Sequence, residues 1–294
     1  MKKAIRFGVA GWHYPDWAGI VYPEKKPRGF EPLALIASLL DAVEVNASFY
    51  SPLSPNAARK WLRIVQPFPD FRFSAKLWQR FTHARESWAD QEVRLFRRGL
   101  EPILDAGRLG CILCQFPWSF RQSEDNWTRL KKIAHDFKKF PLVVELRHQS
   151  WQKDSFLDWL RENSIGFVNI DQPLFHDSMP PTEIATSQVG YARLHGRNYQ
   201  TWFKKDAESW ERYDYLYSEQ ELAEWIPRLE KIALNSEELF VIANNHFQGK
   251  GVAGALMLKS MWSRKKLAAP KALIQKYPLL KPFCEPGEAQ KELF

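Results

Sequence analysis

The sequence predicts an α/β fold, and within that class a single (β/α)8 TIM barrel with its site at the C-terminal face of the strands. Three observations predict this fold. Short apolar runs, typical of buried parallel strands, alternate eight times with segments of helical periodicity. Five of these runs end in polar residues spaced two apart, which places those side chains on one face of a strand. The chain has 294 residues, enough for the roughly 250 that one barrel needs.

The strands are predicted from the apolar runs and from the residues that stop them. The first run stops at Gly11-Trp12, and the fourth is stopped by Pro117. The predicted strands span residues 5–10, 42–49, 71–75, 109–116, 141–146, 166–170, 190–194 and 239–243. Eight units favour a closed barrel over an open sheet, and no Gly-x-Gly-x-x-Gly motif follows the first strand to indicate dinucleotide binding.

The helices are predicted from apolar spacing and from the residues that begin them. Ser54 and Pro55 open the helix after the second strand, and Ser123 and Ser218 are predicted N-caps. Further predicted helices span residues 31–41, 90–104, 124–137, 153–162 and 219–234, and a last helix follows residues 249–254. Residues 1–267 are predicted to form the barrel domain, and residues 268–294 a proline-containing C-terminal extension.

The composition indicates a globular protein with a basic balance. The net charge of +8 favours an anionic partner, but the lysines and arginines lie in small scattered clusters. Cys111 and Cys114 lie three apart on a predicted strand, hence on opposite faces, and are expected to be core thiols. No signal peptide and no apolar run of roughly 18 residues is found, so we expect a cytoplasmic protein without a membrane partner.

Polar side chains at the strand ends form the candidate site, because they converge over one mouth in a closed barrel. The candidate acids and bases are Glu44, Glu145, Asp171 and His195. The candidate substrate-binding residues are amides and cations suited to carboxylate or phosphate: Asn46, Lys76, Gln115, Arg147, Arg193, Arg197, Asn244 and Asn245. A purely structural network of salt bridges is the alternative interpretation, since buried charges must be paired.

No cofactor is predicted, and a divalent metal is the alternative. Glu145, Asp171 and His195 lie on consecutive predicted strands and could form a ligand set, although no local spacing such as His-Glu-x-x-His supports it. Arg147 and Arg193 lie between these residues and argue against an anionic cage. With a metal, the protein would be a phosphodiesterase or nuclease. A third hypothesis is a non-catalytic barrel that binds nucleic acid or another ligand.

Two loops near the predicted mouth are candidates for ligand contact. The loop after the seventh strand could stack sugars or bases, or could pack as a lid on the rim. Its aromatic and basic residues are Tyr199, Trp202, Phe203, Trp210, Tyr213, Tyr215, Tyr217, Arg197, Lys204, Lys205 and Arg212. After the eighth strand, the glycine-containing segment 244–251 could offer backbone N–H groups to a phosphate or form a plain turn.

Ordered motifs along the chain resemble those of the DUF72 family, also called YecE-like. The N-terminal motif is residues 8–12, followed by Trp17 and Tyr22-Pro23, and the hallmark is Val43-Glu44-Val45-Asn46-Ala47-Ser48-Phe49-Tyr50. Further matches lie at residues 71–76, 82–83, 115–117, 145–148, 212–217 and 244–245. The resemblance covers about residues 5–262 and implies a TIM barrel but no reaction. Residues 251–255 read Gly-Val-Ala-Gly-Ala and depart from the family pattern, so ligand contacts there are not carried over.

The leading hypothesis is an enzyme that uses acid–base chemistry on a small phosphorylated or carboxylated metabolite. Lys76, Arg147 and Arg193 would hold the anion. Glu145, Asp171 or His195 would move the proton. A hydrolase, a lyase and an isomerase all fit this hypothesis.

Overall fold

The computed structural model describes residues 4–202, 204, 206, 208 and 210–287. Its centre is a closed barrel of eight parallel strands in sequential order, in which the last strand pairs with the first. The strands are β1 (Ala4–Ala10), β2 (Ala42–Val45), β3 (Arg72–Lys76), β4 (Leu109–Gln115), β5 (Leu142–Glu145), β6 (Gly166–Asp171), β7 (Val189–Leu194) and β8 (Glu238–Ala243). The predicted (β/α)8 barrel is confirmed.

Helices surround the barrel and begin where the capping residues predict. The hydroxyl groups of Ser54, Ser123 and Ser218 each accept a hydrogen bond from the backbone N–H three residues further on. The helices are α1 (Pro32–Leu39), α2 (Ala47–Tyr50), α3 (Pro55–Ile64), α4 (Gln79–Thr82), α5 (Asp90–Asp105), α6 (Glu124–Asp136), α7 (Asp154–Glu162), α8 (Glu219–Ala223), α9 (Ile226–Leu234), α10 (Lys250–Ser263) and α11 (Lys271–Lys276).

Two predicted elements differ from the structure. The predicted strand 42–49 ends at Val45, and the following residues form the short helix α2. The Ser48 hydroxyl anchors this turn, since its Oγ lies 2.8 Å from Val45 O and 2.7 Å from Lys76 O. The predicted helix 219–234 is divided into α8 and α9, because Pro227 in the first turn of α9 has no N–H to continue the preceding helix.

Aromatic side chains fill the barrel interior, and their packing depends on a glycine. Tyr191 and Phe240 are fully buried, with their ring centroids 6.0 Å apart. Gly110 lies where the register of β3 against β4 shifts, and a Cβ on this residue would collide with the Phe240 ring. The barrel is therefore a packed core, and its polar groups lie towards the C-terminal ends of the strands.

The described part of the C-terminal extension folds back onto the barrel domain. Strands β9 (Leu267–Ala269) and β10 (Cys284–Pro286) form a small parallel sheet with α11 between them in sequence. Tyr277 Oη donates to Gln248 O at 2.8 Å, just before α10. Residues 1–3 and 288–294 lie outside the described residues. No helix in the described part of the chain has the length and apolar character needed to cross a bilayer.

Candidate functional site at the barrel mouth

A fully buried arginine joins the carboxylates at the C-terminal ends of the strands. Arg193 on β7 donates to both oxygens of Glu44 on β2, from Nε at 3.0 Å and from Nη2 at 2.6 Å. Its Nη1 donates to Glu145 on β5 at 2.9 Å, and its Nη2 also donates to Asn244 Oδ1 at 3.0 Å. All three guanidinium nitrogens therefore have acceptors within the protein, and Arg193 ties four strands together.

Tyr191 supports this network from one layer further inside the barrel. Its Oη donates to Glu44 Oε2 at 2.9 Å and lies 2.9 Å from Ser74 Oγ. Burial, together with the Glu44 charge, raises the pKa of Tyr191 well above its usual value, so the phenol stays protonated. The sequence candidates did not include Tyr191, although it precedes Arg193 by two residues and therefore shares its face of the strand.

Glu145 is the carboxylate that Arg193 and Arg147 share, and it lies beside His195. It accepts hydrogen bonds from Arg193 and from Arg147 Nε, the latter at 2.9 Å, and its Oε1 lies 3.2 Å from His195 Nε2. Burial alone would raise the pKa of Glu145, but Arg193, His195 and Arg147 together hold it well below its usual value. Glu145 is therefore an anion throughout the neutral pH range.

His195 is a neutral imidazole with one ring nitrogen available. Burial lowers the pKa of His195 to about 3, although the Glu145 charge acts in the opposite direction. Because Asn244 Oδ1 accepts from Arg193, its Nδ2 donates to His195 Nδ1 at 3.0 Å, and we assign the ring proton to Nε2. Nε2 is buried and lies 3.2 Å from Glu145 Oε1, but no described residue offers it an aligned hydrogen-bond acceptor. Such a donor favours an incoming hydrogen-bond acceptor.

Lys76, at the end of β3, is a cation of the mouth that lacks an ion-pair partner among the described residues. Its Nζ lies 4.0 Å from the centroid of the Phe49 ring, which α2 places against it. Burial lowers the pKa of Lys76 to about 7, and Arg193 adds to this effect, while Glu44 and Glu145 oppose it. At neutral pH the amine is therefore divided between its charged and free forms.

Arg147 uses only part of its guanidinium group within the described structure. Its Nε donates to Glu145, while no described residue accepts a hydrogen bond from Nη1 or Nη2. The guanidinium carbon lies 5.5 Å from the centroid of the buried Trp202 ring, which is also 6.1 Å from the His195 ring. Arg147 therefore combines a free pair of donors with an aromatic cover.

Aromatic rings continue from Trp202 across the mouth. The Trp202 and Tyr213 centroids are 6.4 Å apart, those of Tyr213 and His246 are 5.4 Å apart, and those of His246 and Tyr14 are 4.3 Å apart. These rings join the loop after β7 to the loops after β8 and β1, and this packing favours the lid interpretation. Two predicted members of the loop, Phe203 and Lys205, lie outside the described residues.

Asp171 and Arg197 form a second network. Arg197 Nε lies 3.0 Å and 3.1 Å from the two Asp171 oxygens, and Trp225 Nε1 donates to Asp171 at 3.1 Å. Arg197 also lies 3.5 Å from Glu221 and 3.3 Å from Glu224. Burial raises the pKa of Asp171 despite these donors. This network ties β6 and the loop after β7 to the helical layer.

The alternative metal set is not gathered into one group. In the described part of the chain, no three or more His, Cys, Asp or Glu residues are arranged to hold a metal ion. Glu145 and His195 are neighbours, but Asp171 pairs with Arg197 instead. Glu145 and Asp171, at the ends of the consecutive strands β5 and β6, therefore belong to different networks.

The remaining candidates are amides around the rim. Asn46 Nδ2 lies 3.4 Å from Tyr14 Oη, and both residues line a cavity of about 380 Å³ at the ends of β1 and β2. Gln115 Nε2 donates to Phe116 O at 2.8 Å. Asn245 Nδ2 donates to the backbone of the β7 loop at 2.7 Å, while its buried Oδ1 has no hydrogen-bond partner in the part of the chain that the structure describes.

Comparison with known proteins agrees with this architecture. The chain matches, over residues 6–276, the family described as "Protein of unknown function DUF72". It is 30% identical over 264 residues to the UPF0759 protein YunF of Bacillus subtilis (strain 168), which covers 83% of this chain and 90% of that protein. A DUF72 family crystal structure from Thermotoga maritima MSB8 is 32% identical, covers 88% of this chain and 99% of that one, and gives a TM-score of 0.78. Another, from Enterococcus faecalis V583, is 25% identical, covers 88% and 95%, and gives a TM-score of 0.76.

Proposed function

This chain belongs to the DUF72 family, and we propose that its barrel mouth is the active site of an enzyme acting on a small carboxylated or phosphorylated substrate. One observation carries the proposal: Lys76 and Arg147 reach the mouth with donors that no described residue accepts. The carboxylates nearest to them, Glu44 and Glu145, are already bound by Arg193. The mouth therefore has hydrogen-bond donors on Arg147 and a partly protonated amine on Lys76 that an anionic ligand would bind.

Arg147 is the proposed anion-binding residue. A guanidinium group binds carboxylate or phosphate through two parallel N–H groups, and Arg147 has both terminal nitrogens free of described acceptors. Its orientation is fixed from below by Glu145 and from the side by Trp202. A group held in one geometry loses less conformational entropy when the ligand binds.

The proposed acid–base chemistry uses His195, which follows β7, and Lys76, which ends β3 on the opposite side of the mouth. His195 Nε2 is a buried donor close to the ionised Glu145, so it can hydrogen-bond an oxygen on which negative charge develops. The pKa of Lys76, about 7, suits a group that gives and takes protons near neutral pH. Asp171 is expected to position the loop through Arg197.

Calorimetric titration tests the anion site with oxalate and inorganic phosphate as probes. We expect Arg147→Met to weaken binding of the better probe at least about tenfold, since it removes a charge-assisted bidentate contact. Arg63→Met, which changes an exposed arginine on α3, is the matched control and should bind like wild type. Equal affinity in wild type and Arg147→Met would contradict the assigned site.

Turnover is tested by following phosphorylated and carboxylated metabolites by NMR. The proposal requires that wild-type protein convert at least one compound and that Glu145→Gln fail to convert it while still folding. Circular dichroism checks the fold of the variant. Full activity of the Glu145→Gln protein would show that Glu145 has no catalytic role.

A further inference from the structure

We infer that Lys76 is a nucleophile and that the substrate is a small anionic aldehyde or ketone, such as a 2-oxo acid, which Lys76 binds covalently as an imine. This inference rests on the proposed function, because it requires an anion-binding mouth, and it narrows the substrate class. Three features support the inference: the placement of Lys76, the groups around its amine and the donors at two other strand ends.

The placement of Lys76 gives it no structural ion pair to maintain. It ends β3 at the face of the barrel where the other polar strand ends meet. The described residues supply no hydrogen-bond acceptor or carboxylate to Nζ, which instead lies on the Phe49 ring. A structural lysine in such a setting is expected to pair, because an unpaired, partly buried ammonium group is costly.

The oxygens of the neighbouring carboxylates already accept hydrogen bonds from residues other than Lys76. Glu44 accepts from both Arg193 and Tyr191, and Glu145 accepts from Arg193 and Arg147. The two arginines thus hold the anionic groups of this layer and also repel a charge on the amine. This arrangement favours the free amine, which is the nucleophilic form of lysine.

Burial is the largest effect on the amine, and the arginines add to it. Together they bring the pKa of Lys76 to about 7, against an ordinary value of 10.5. The Phe49 ring acts in the other direction, because its face stabilises a cation. The free amine of Lys76 is therefore accessible near neutral pH.

Two donors complete a site for a carbonyl compound that carries an acid group. Arg147, which follows β5, has two free guanidinium nitrogens for a carboxylate. His195, which follows β7, has a buried Nε2 donor for the carbonyl oxygen. With the amine of Lys76 on β3, three different strand ends supply a nucleophile, an anion-binding group and a donor.

The proposed covalent step balances without an oxidant or reductant. The Lys76 nitrogen lone pair attacks the carbonyl carbon, the carbonyl oxygen takes a proton, and the nitrogen loses one to give a carbinolamine. Protonation of its hydroxyl group releases water and leaves a protonated imine. The protonated imine weakens a C–H bond on the adjacent carbon: a base takes this proton, and the bonding electron pair forms an enamine. Return of a proton to carbon and addition of water then restore the Lys76 amine and release the carbonyl compound.

The test is imine trapping on the full chain, with glyoxylate as the probe and sodium cyanoborohydride as the reductant. Peptide mass spectrometry then gives the rate of adduct formation at each lysine. We expect Lys76 to react at least about tenfold faster at pH 7 than Lys60 and Lys259, because these two lysines are ion-paired with Glu31 and Asp41. The Lys76 rate should rise with pH and level off above about 7.

Variants and competition separate this inference from the proposed function. Oxalate is an anion that cannot form an imine, so it should slow labelling of Lys76 by competition and leave labelling of Lys60 unchanged. The variant Arg147→Met should also label more slowly at Lys76 and at the wild-type rate at Lys60. Lys76→Arg should lose the fast adduct. If oxalate binds through Arg147 but Lys76 reacts no faster than Lys60, the imine is overturned and the anion site stands. Fast labelling of Lys76 that oxalate does not slow would overturn the anionic substrate class.

Discussion

At the scale of single residues, the two cations Arg193 and Lys76 have opposite relations to their surroundings. Arg193 is buried and has an acceptor for every guanidinium nitrogen, so the protein uses four of its five N–H donors. Lys76 shares the same layer of the barrel and has no such acceptor among the described residues. A polar side chain without a hydrogen-bond partner costs stability, so such residues are expected at functional sites.

Lys76→Met is expected to stabilise the folded protein. The pKa of Lys76 is about 7 when folded and near 10.5 when unfolded, so between these values unfolding takes up a proton and stability rises with pH. Below pH 7 the full cost of burying the charge is present. Removing the amine should therefore gain on the order of 1 kcal/mol at pH 6 and less at pH 9, which corresponds to a rise in Tm of about 2–4 °C at pH 6.

Thermal melting at the two pH values measures this effect. Lys60→Met is the matched control, since Lys60 is exposed and makes only a surface ion pair with Glu31 at 3.3 Å; its Tm should change little. A lower Tm for Lys76→Met than for wild type at pH 6 would show that the ammonium group stabilises the fold.

At the scale of elements, the position of β4 depends on the space that Gly110 leaves open. The register shift between β3 and β4 places this glycine against the ring of Phe240 on β8. The sequence shows a glycine within an apolar run, but the ring that fills the space comes from a strand about 130 residues away. Only the closed barrel brings the two together.

Gly110→Ala is expected to destabilise the barrel by about 1–3 kcal/mol, because the added methyl group overlaps the Phe240 ring and the core must shift. Denaturant unfolding measures the change. Gly254→Ala on α10 is the matched control: its Cβ would meet nothing within 4 Å, and alanine favours the helix. Unchanged stability of Gly110→Ala would mean that the interior is less tightly packed than described.

At the scale of the whole molecule, the barrel itself could be predicted because its signals are local. Apolar runs, caps and turn residues give the order of strands and helices, and polar pairs at strand ends give the face on which the site lies. The exceptions have local causes as well, such as the Ser48 turn that ends β2 early and Pro227 at the start of α9.

The partners within the site could not be predicted, because they depend on which way each strand end faces. Asp171 and Glu145 end consecutive strands, yet one pairs with Arg197 and the other with Arg193. The low pKa of Lys76 likewise depends on burial and on Arg193, four strands away along the chain. The spacing of residues along the sequence gives neither the ion-pair partners of these carboxylates nor the distance between Lys76 and Arg193.

The central claim is that the barrel mouth binds a small anion through Arg147, beside Lys76 and His195. A crystal structure of the complex with oxalate tests it most directly. We predict that one oxalate carboxylate lies on Nη1 and Nη2 of Arg147, within hydrogen-bond distance of His195 Nε2 or Lys76 Nζ and beneath Trp202. Oxalate bound elsewhere, with the Arg147 guanidinium taken up by protein acceptors, would contradict the account.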